Sequence, residues 1–99
     1  MAELLSDIEI QRMLGKIPGW SRKGDSITKT FQFNDFLSGI DFVGGVAQVA
    51  EAANHHPDID IRYNKVTCTL STHSASGITQ KDLDLAAQID HVLDAQSKS

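Results

Sequence analysis

Two short segments in the second half of the chain alternate apolar and polar residues, and only two residues separate them. The apolar positions are Ile59, Ile61 and Tyr63 in the first segment and Val66, Cys68 and Leu70 in the second. Because side chains alternate between the faces of a β-strand, each segment has one apolar face. A turn at Asn64-Lys65 would pair Tyr63 with Val66 and keep both apolar faces on the same side. The pattern predicts a β-hairpin with one face covered by other elements.

A second hairpin is predicted in the first half of the chain. Its strands are residues 20–22 and 27–33, and the turn dipeptide Gly24-Asp25 lies between them. By the same alternation Ile27, Phe31 and Phe33 share one face, on which Lys29 is the polar exception.

Helices are predicted at both ends of the chain. Ser6 and Glu9 have the spacing of a capping box at the start of the first helix, which Gly15 and Pro18 end. Thr79 and Asp82 have the same spacing at the start of the last helix. That helix carries apolar residues near one side, namely Leu83, Ala86, Ala87, Ile89 and Leu93. We expect the chain to fray from Gln96 onward.

Between the hairpins, Asn34 is expected to cap a long helix that runs to about Asn54. This helix carries two overlapping apolar stripes, Phe36-Ile40-Val43-Ala47-Ala50 and Phe42-Val46-Val49-Ala53. Two stripes are wider than contact with one sheet requires, so either the helix is deeply buried in a monomer or its second face meets another subunit. In so short a chain we favour another subunit. Three helical glycines, Gly39, Gly44 and Gly45, each cost about 1 kcal/mol relative to alanine and fit either a close approach of another backbone or a kink.

The element order α-β-β-α-β-β-α predicts an α+β fold. In this fold, three helices pack on one face of a four-stranded antiparallel sheet. Ninety-nine residues are too few for two independent cores, so residues 1–99 are expected to form a single domain.

Composition excludes several classes of protein. The net charge of −4 argues against affinity for nucleic acid phosphates. No apolar run is long enough for a membrane span, and no secretory signal is visible. The only cysteine, Cys68, rules out an internal disulfide and is compatible with a reducing cytoplasm. We therefore expect a cytoplasmic protein that binds neither membrane nor nucleic acid.

Three of the four histidines lie close to these predicted element ends. His55 and His56 precede Pro57 at the end of the long helix, and His73 follows the last strand segment. Adjacent residues cannot both point into the core, so at least one of the pair faces a cleft or solvent. One histidine interacting with the helix C-terminus is an alternative, but three together favour a functional site. By strand alternation His73 points away from the helices, and it meets the pair only if the strand ends near Ser71.

Two carboxylates flank these histidines. Glu51 lies one helical turn before His55, so the two side chains are expected to touch, with a solvated Glu51 as the alternative. Asp82 either caps the last helix, contacts a substrate, or does both. Three histidines also suit zinc, but adjacent histidines seldom chelate one ion and no Cys pair or His-x-x-x-His spacing is present, so no metal is predicted. Cys68 lies on the apolar face, where a thiol is inert.

From Glu51 to Asp82 the chain reads E-x-x-x-H-H-P, then Y-N-K-V, then L-S-T-H, then D. This pattern resembles the pterin-4a-carbinolamine dehydratase family, and the resemblance covers most of the chain. It implies the same architecture and a hydro-lyase that dehydrates 4a-hydroxytetrahydropterin to quinonoid dihydropterin. Such an enzyme supports the recycling of tetrahydrobiopterin after aromatic amino-acid hydroxylation. The chemistry requires no metal, nucleotide or other cofactor.

The resemblance also implies residue roles. His55 and His73 would be the acid–base pair, and His56 would orient the substrate. Glu51 and Asp82 would be supporting carboxylates. The pterin would also contact a set of small or rigid residues, namely Pro57, Thr72, Ser74 and Ala75.

Some animal members of this family bind a homeodomain transcription factor and stabilise its dimer. The alternative function is therefore a helix-mediated protein-interaction module without essential catalysis, using the apolar face of residues 36–53. The same face would explain a homodimer or homotetramer, which needs no other protein partner.

Overall fold

Two antiparallel hairpins join into one sheet in the computed structural model, which describes residues 3–97. In chain order the elements are α1 (Asp7–Leu14), β1 (Ser21–Lys23), β2 (Ser26–Gln32), α2 (Phe36–Ala53), β3 (Asp58–Arg62), β4 (Lys65–Leu70), a 3₁₀ turn (His73–Ala75) and α3 (Gln80–Ser97). The four strands lie in the order β1-β2-β4-β3, and every pair is antiparallel. The predicted α+β fold class and element order are confirmed.

The core lies between the helices and the apolar face of the sheet. Its strand residues are Ile27, Phe31, Val66, Cys68 and Leu70, all buried. Phe42 of α2 stacks on this face, with its ring centroid 4.7 Å from that of Phe31 and 5.2 Å from that of Phe33. The opposite face is polar, and threonines pair across it, with Thr30 Oγ1 2.8 Å from Thr67 Oγ1. The predicted division of the strands into an apolar and a polar face is confirmed.

The turn of the second hairpin lies one residue earlier than predicted. Tyr63 and Asn64 form it, so Arg62 pairs with Lys65 and Ile61, not Tyr63, lies opposite Val66. Asn64 fixes this position, because its carbonyl accepts the N–H of Phe33 and its side-chain amide donates to the Phe33 carbonyl, both at 2.8 Å. Each residue of β4 therefore pairs with a residue of β3 two positions before the predicted one. Because this shift is an even number of residues, every side chain stays on its predicted face of the sheet. Tyr63 is left 69% exposed.

Asp35, not the predicted Asn34, caps α2. Its Oδ1 accepts the backbone N–H of Ser38 at 2.8 Å, and this hydrogen bond lowers the pKa of the Asp35 carboxyl. Asn34 is one residue too early for a side-chain oxygen to reach the same N–H. At the other end, the helix stops at Ala53, close to the predicted end at about Asn54, and Asn54 is its C-cap.

The glycines of α2 have different surroundings. A methyl group at Gly45 would lie 2.5 Å from Val92 Cγ1 of α3, and one at Gly39 would lie 3.5 Å from Phe33 and Val66. These two glycines let α2 approach α3 and the sheet. A methyl group at Gly44 would meet nothing within 4 Å. Near the start of the same helix Phe36 and Leu37 are 45% and 72% exposed.

Lys29, the charged residue on the apolar face of β2, is paired with α3. Its Nζ lies 2.9 Å from Asp90 Oδ1, and Trp20 Nε1 donates to the same carboxylate at 3.1 Å. The Lys29 ammonium also lies 4.9 Å from the centroid of the Phe31 ring. These contacts pair the charges of Lys29 and Asp90 where α3 lies against the sheet.

The last helix continues further than predicted. Gln96 belongs to α3 and donates its side-chain amide to the Ser38 carbonyl at 2.9 Å, so the prediction of a frayed end is wrong for this residue. Lys98 and Ser99 lie outside the described residues. No helix within residues 3–97 is both long and apolar enough to cross a membrane.

Cys68 should not react with thiol reagents while the protein is folded. Its side chain is fully buried, and burial together with the nearby Asp90 charge raises the thiol pKa to about 12. The reactive thiolate is therefore nearly absent at pH 8. We expect no labelling by iodoacetamide at pH 8 in native buffer and full labelling in guanidinium chloride, measured by mass spectrometry. Labelling in native buffer at the rate of free cysteine would contradict the burial argument.

Candidate functional site

The end of α2 directs the two adjacent histidines apart. Asn54 adopts the left-handed conformation, with φ of 51°, and its N–H donates to the Glu51 carbonyl. The next N–H, that of His55, donates to the Ala50 carbonyl at 3.1 Å. These two bonds form a Schellman motif, in which the chain reverses and the last carbonyls are satisfied. The reversal turns His55 inward toward α3 and leaves His56 at the surface.

His55 is bonded to a buried carboxylate of α3. Its Nε2 lies 2.6 Å from Asp82 Oδ1; the His55 side chain is 12% exposed and that of Asp82 is 0% exposed. An ionised carboxylate has only acceptor atoms, so Nε2 carries the proton that is shared with it. Within residues 3–97, His55 Nδ1 has no hydrogen-bond partner, and no buried side-chain nitrogen or oxygen lacks one. Nδ1 is therefore accessible.

Asp82 holds the start of α3 as well as His55. Its Oδ2 accepts the N–H of Thr79 at 2.9 Å, which is the bond expected of a capping carboxylate, and the hydroxyl of Thr72 at 2.9 Å. The predicted capping role of Asp82 is present. Direct access to a ligand is not, because the side chain is enclosed beneath His55.

Glu51 contacts His56 and not His55. Its Oε2 lies 2.5 Å from His56 Nε2, and both side chains are exposed. The predicted Glu51–His55 contact assumed that the helical spacing continues through His55. The left-handed Asn54 ends that spacing and brings His56 back over the last turn of α2 instead.

His73 reaches the same region because β4 ends early. The strand stops at Leu70, and Thr72 pairs with Gly77 through hydrogen bonds of 2.8 Å and 3.3 Å that close a short loop. His73 begins the 3₁₀ turn within this loop. Strand alternation consequently no longer sets its direction, and the turn after Ser71 that the sequence analysis required is present.

These segments line a cavity of about 390 Å³ that is open to solvent at one end of the sheet. Its lining residues are Asn54, His55, His56, Pro57, Asp58, Ser71, Thr72, His73, Ser74 and Lys81. The volume is within the range of about 300–1,000 Å³ typical of small-molecule sites. Six of the nine predicted site residues line the cavity, which brings all three histidines to one place.

Three predicted residues do not line the cavity. Glu51 lies behind His56, Asp82 lies beneath His55, and Ala75 faces elsewhere in the 3₁₀ turn. Four lining residues were not predicted, namely Asn54, Asp58, Ser71 and Lys81. Asn54 and Asp58 flank the His-His-Pro segment, which was a usable signal. Nothing in the sequence distinguishes Lys81 from other lysines at the start of a helix.

The arrangement suits proton transfer to and from a small ligand. Imidazoles change protonation near neutral pH, and here one has a carboxylate behind it and an accessible nitrogen in front. Within residues 3–97 no three His, Cys, Asp or Glu side chains are arranged to hold a metal ion.

Known proteins resemble this chain over nearly its whole length. The model of a family described as "Pterin 4 alpha carbinolamine dehydratase" matches residues 3–92. A protein of Roseiflexus castenholzii named for the same dehydratase is 60% identical over 93 residues, which are 94% of this chain and 100% of the relative. A similarly named protein of a Cyanothece species is 57% identical over 90% of this chain and 92% of its own length.

Solved structures share the fold. A crystal structure from Brucella melitensis, described as a transcriptional coactivator/pterin dehydratase, superimposes with a TM-score of 0.85 at 33% identity, covering 89% of this chain and 96% of the other. A pterin dehydratase-like RuBisCO assembly factor of the alpha-carboxysome has a TM-score of 0.61 at 22% identity, covering 74% of this chain and 84% of the other. The second likeness concerns the fold alone.

Proposed function

Because this chain belongs to the pterin-4a-carbinolamine dehydratase family, as its sequence pattern predicts, we propose that it dehydrates 4a-hydroxytetrahydropterin to quinonoid dihydropterin. The observation that carries the proposal is the convergence of His55, His56 and His73 on one cavity of about 390 Å³. The reaction is that of a hydro-lyase, in which water leaves and a double bond forms.

The reaction needs one proton delivered and one removed. The C4a hydroxyl leaves as water once it is protonated, and the neighbouring ring nitrogen N5 loses its proton as the C4a–N5 double bond forms. His55 suits the base, because Asp82 accepts its Nε2 proton and leaves the Nδ1 lone pair accessible. His73, which lines the same cavity, suits the acid. Histidine acid–base steps are typically worth about 10²–10⁴-fold in rate.

His56 and the surrounding polar groups would hold the pterin in place. The Glu51 carboxylate fixes the direction of the His56 ring, while Ser74 and the loop around Pro57 supply further contacts along the wall. Recycling of tetrahydrobiopterin in the cytoplasm is part of the same proposal, and a chain with one free, buried cysteine is compatible with that compartment.

The direct test is turnover of freshly generated carbinolamine. We expect the purified protein to accelerate loss of the 4a-hydroxyl equally well before and after treatment with a chelator. The rate is measured from the change in ultraviolet absorbance. The physical reason is that the proposed proton transfers use imidazoles alone. The control is the same buffer with free imidazole at the histidine concentration of the protein. Activity that disappears on chelation and returns with zinc would contradict the acid–base mechanism.

Partner binding through α2 is the second candidate function. Phe36 and Leu37 are exposed at the start of this helix, and the Brucella relative is described as a coactivator as well as a dehydratase. The two functions separate in a variant with all three pocket histidines replaced by alanine. A dedicated interaction module keeps its partner binding in that variant, whereas an enzyme loses turnover.

A further inference from the structure

Three polar side chains form a fully buried hydrogen-bonded chain behind His55. Thr72, Thr79 and Asp82 are 3%, 1% and 0% exposed. Thr72 Oγ1 lies 2.9 Å from Asp82 Oδ2 and 2.7 Å from Thr79 Oγ1. A hydroxyl has one proton, and an ionised carboxylate cannot donate, so the Thr72 proton goes to Asp82. The proton between the two threonines must then come from Thr79, which gives the chain one direction, toward the carboxylate.

We propose that Thr72 and Thr79 are positioning residues that hold Asp82 so that its Oδ1 accepts the Nε2 proton of His55. The Asp82 carboxylate would impose the tautomer with a bare Nδ1, and the two buried hydroxyls would hold that carboxylate in place. The catalytic consequence rests on the proposed function, but the tautomer itself does not.

Helix capping alone does not account for these hydroxyls. The capping bonds at the start of α3 run from the Thr79 N–H to Asp82 Oδ2 and from the Lys81 N–H to Thr79 Oγ1, at 2.9 Å and 3.2 Å. Neither uses the hydroxyl proton of Thr79 or any atom of Thr72. The Thr72 hydroxyl adds a second donor to Oδ2, and the Thr79 hydroxyl donates in turn to Thr72 Oγ1. This leaves Oδ1 as the oxygen that faces His55.

The arrangement makes a geometric prediction for Asp82→Asn. Two donors, the Thr79 N–H and the Thr72 hydroxyl, would hold the amide oxygen at the position of Oδ2. The amide NH₂ would then face His55 Nε2, which must become an acceptor. The His55 proton would move to Nδ1, the nitrogen proposed to serve as the base.

The test is ¹⁵N NMR of histidine-labelled protein without substrate, at a pH where the His55 ring is neutral. We expect wild type to have a protonated Nε2 and a bare Nδ1. Asp82→Asn should reverse this pattern. Thr72→Val should give a mixture, because the carboxylate loses a donor that stabilises its ionised form. A carboxyl that takes up a proton from solvent donates it to Nε2, and the neutral ring then carries its own proton on Nδ1. Thr79→Val should have a smaller effect, since both donors to Asp82 Oδ2, the residue 79 N–H and the Thr72 hydroxyl, remain.

Conservative and control variants separate positioning from stability. Thr72→Ser keeps the hydroxyl and should restore the wild-type spectrum. Thr30→Val removes another Thr–Thr hydrogen bond, on the open face of the sheet, and should leave the His55 signals unchanged. A wild-type tautomer in folded Thr72→Val, or an unchanged tautomer in Asp82→Asn, would overturn the proposal.

Kinetics give an independent readout. Thr72→Val should lower kcat by about ten- to a hundredfold, the size of one hydrogen bond to a charged group, with KM nearly unchanged. If none of the proteins turns over pterin while the tautomers shift as described, the proposed function fails and the positioning role stands.

Discussion

Replacing His55 with alanine should lower kcat by about 10²–10⁴-fold and change KM little, because a proton transfer in the transition state is assigned to this residue in the proposed mechanism. His73→Ala should have an effect of the same kind, since the opposite proton transfer is assigned to it. His56→Ala should mainly raise KM, because this histidine is assigned to orientation. Steady-state kinetics with freshly generated carbinolamine measure all three.

Controls for these variants come from the chain itself. His91 is exposed on α3 and does not line the cavity, so His91→Ala should retain wild-type kinetics. His55→Gln can still donate an amide proton to Asp82 but cannot act as a base, and it should be as inactive as His55→Ala. A silent His73→Ala, or a His56→Ala that lowers kcat at unchanged KM, would refute the assignment of roles.

The three histidines should differ in their effect on folding. His56 and His73 are exposed, so their loss removes little packing. His55→Ala leaves the buried Asp82 carboxylate without one of its partners, and an uncompensated buried charge is destabilising. The thermal unfolding temperatures of His55→Ala and His55→Gln should be compared, because only the second variant keeps a donor to Asp82. A difference between them separates the effect on folding from the loss of catalysis.

The second large effect is expected at Gly44. We propose that the outer face of α2, which includes Phe36, Leu37 and Gly44, meets a second copy of the chain in a homodimer or homotetramer. A helical glycine costs about 1 kcal/mol relative to alanine, and Gly44 has no neighbour within the described residues that requires its small size. Close approach of another helix would explain why a glycine lies there.

Gly44→Leu should therefore convert the oligomer into a monomer, measured by light scattering at micromolar concentration. Gln88→Leu adds the same side chain to an exposed position of α3 and should leave the oligomer intact. A wild-type species near 10.8 kDa would show that the apolar face is not an interface between copies. An oligomer that survives Gly44→Leu would place the interface elsewhere, such as at the edge strand β3.

Local sequence patterns predicted the fold. The errors in that prediction occur where contacts between residues far apart in the sequence decide the structure. Alternation gave the correct faces of β3 and β4 even though their turn lies one residue early. Asn64 decides that turn by bonding to Phe33, 31 positions away, and no local pattern contains this contact. Likewise, the sequence alone does not show that Asp35, and not Asn34, caps α2. The choice depends on which of the two side chains reaches the backbone N–H at the start of the helix.

The site was predicted as a set of residues but not as a set of contacts. The adjacent histidines and His73 were correctly brought together, because their place at element ends is visible in sequence. The partners were exchanged, since Glu51 bonds to His56 and Asp82 bonds to His55. One residue with left-handed backbone, Asn54, causes this exchange. Asparagine adopts that conformation more readily than most non-glycine residues, but the prediction continued the helical spacing through it.

The buried carboxylate of Asp82 ties protein engineering of this chain to its chemistry. At the start of most helices, the capping residues can be changed to increase the stability of the protein, because they affect only the helix. Here the two oxygens of one carboxylate cap the start of the helix and bond to His55, so a redesign of residues 79–82 for stability would also disturb the proposed catalytic histidine. Substitutions at the start of α3 and the tautomer of the proposed base are therefore linked through Asp82.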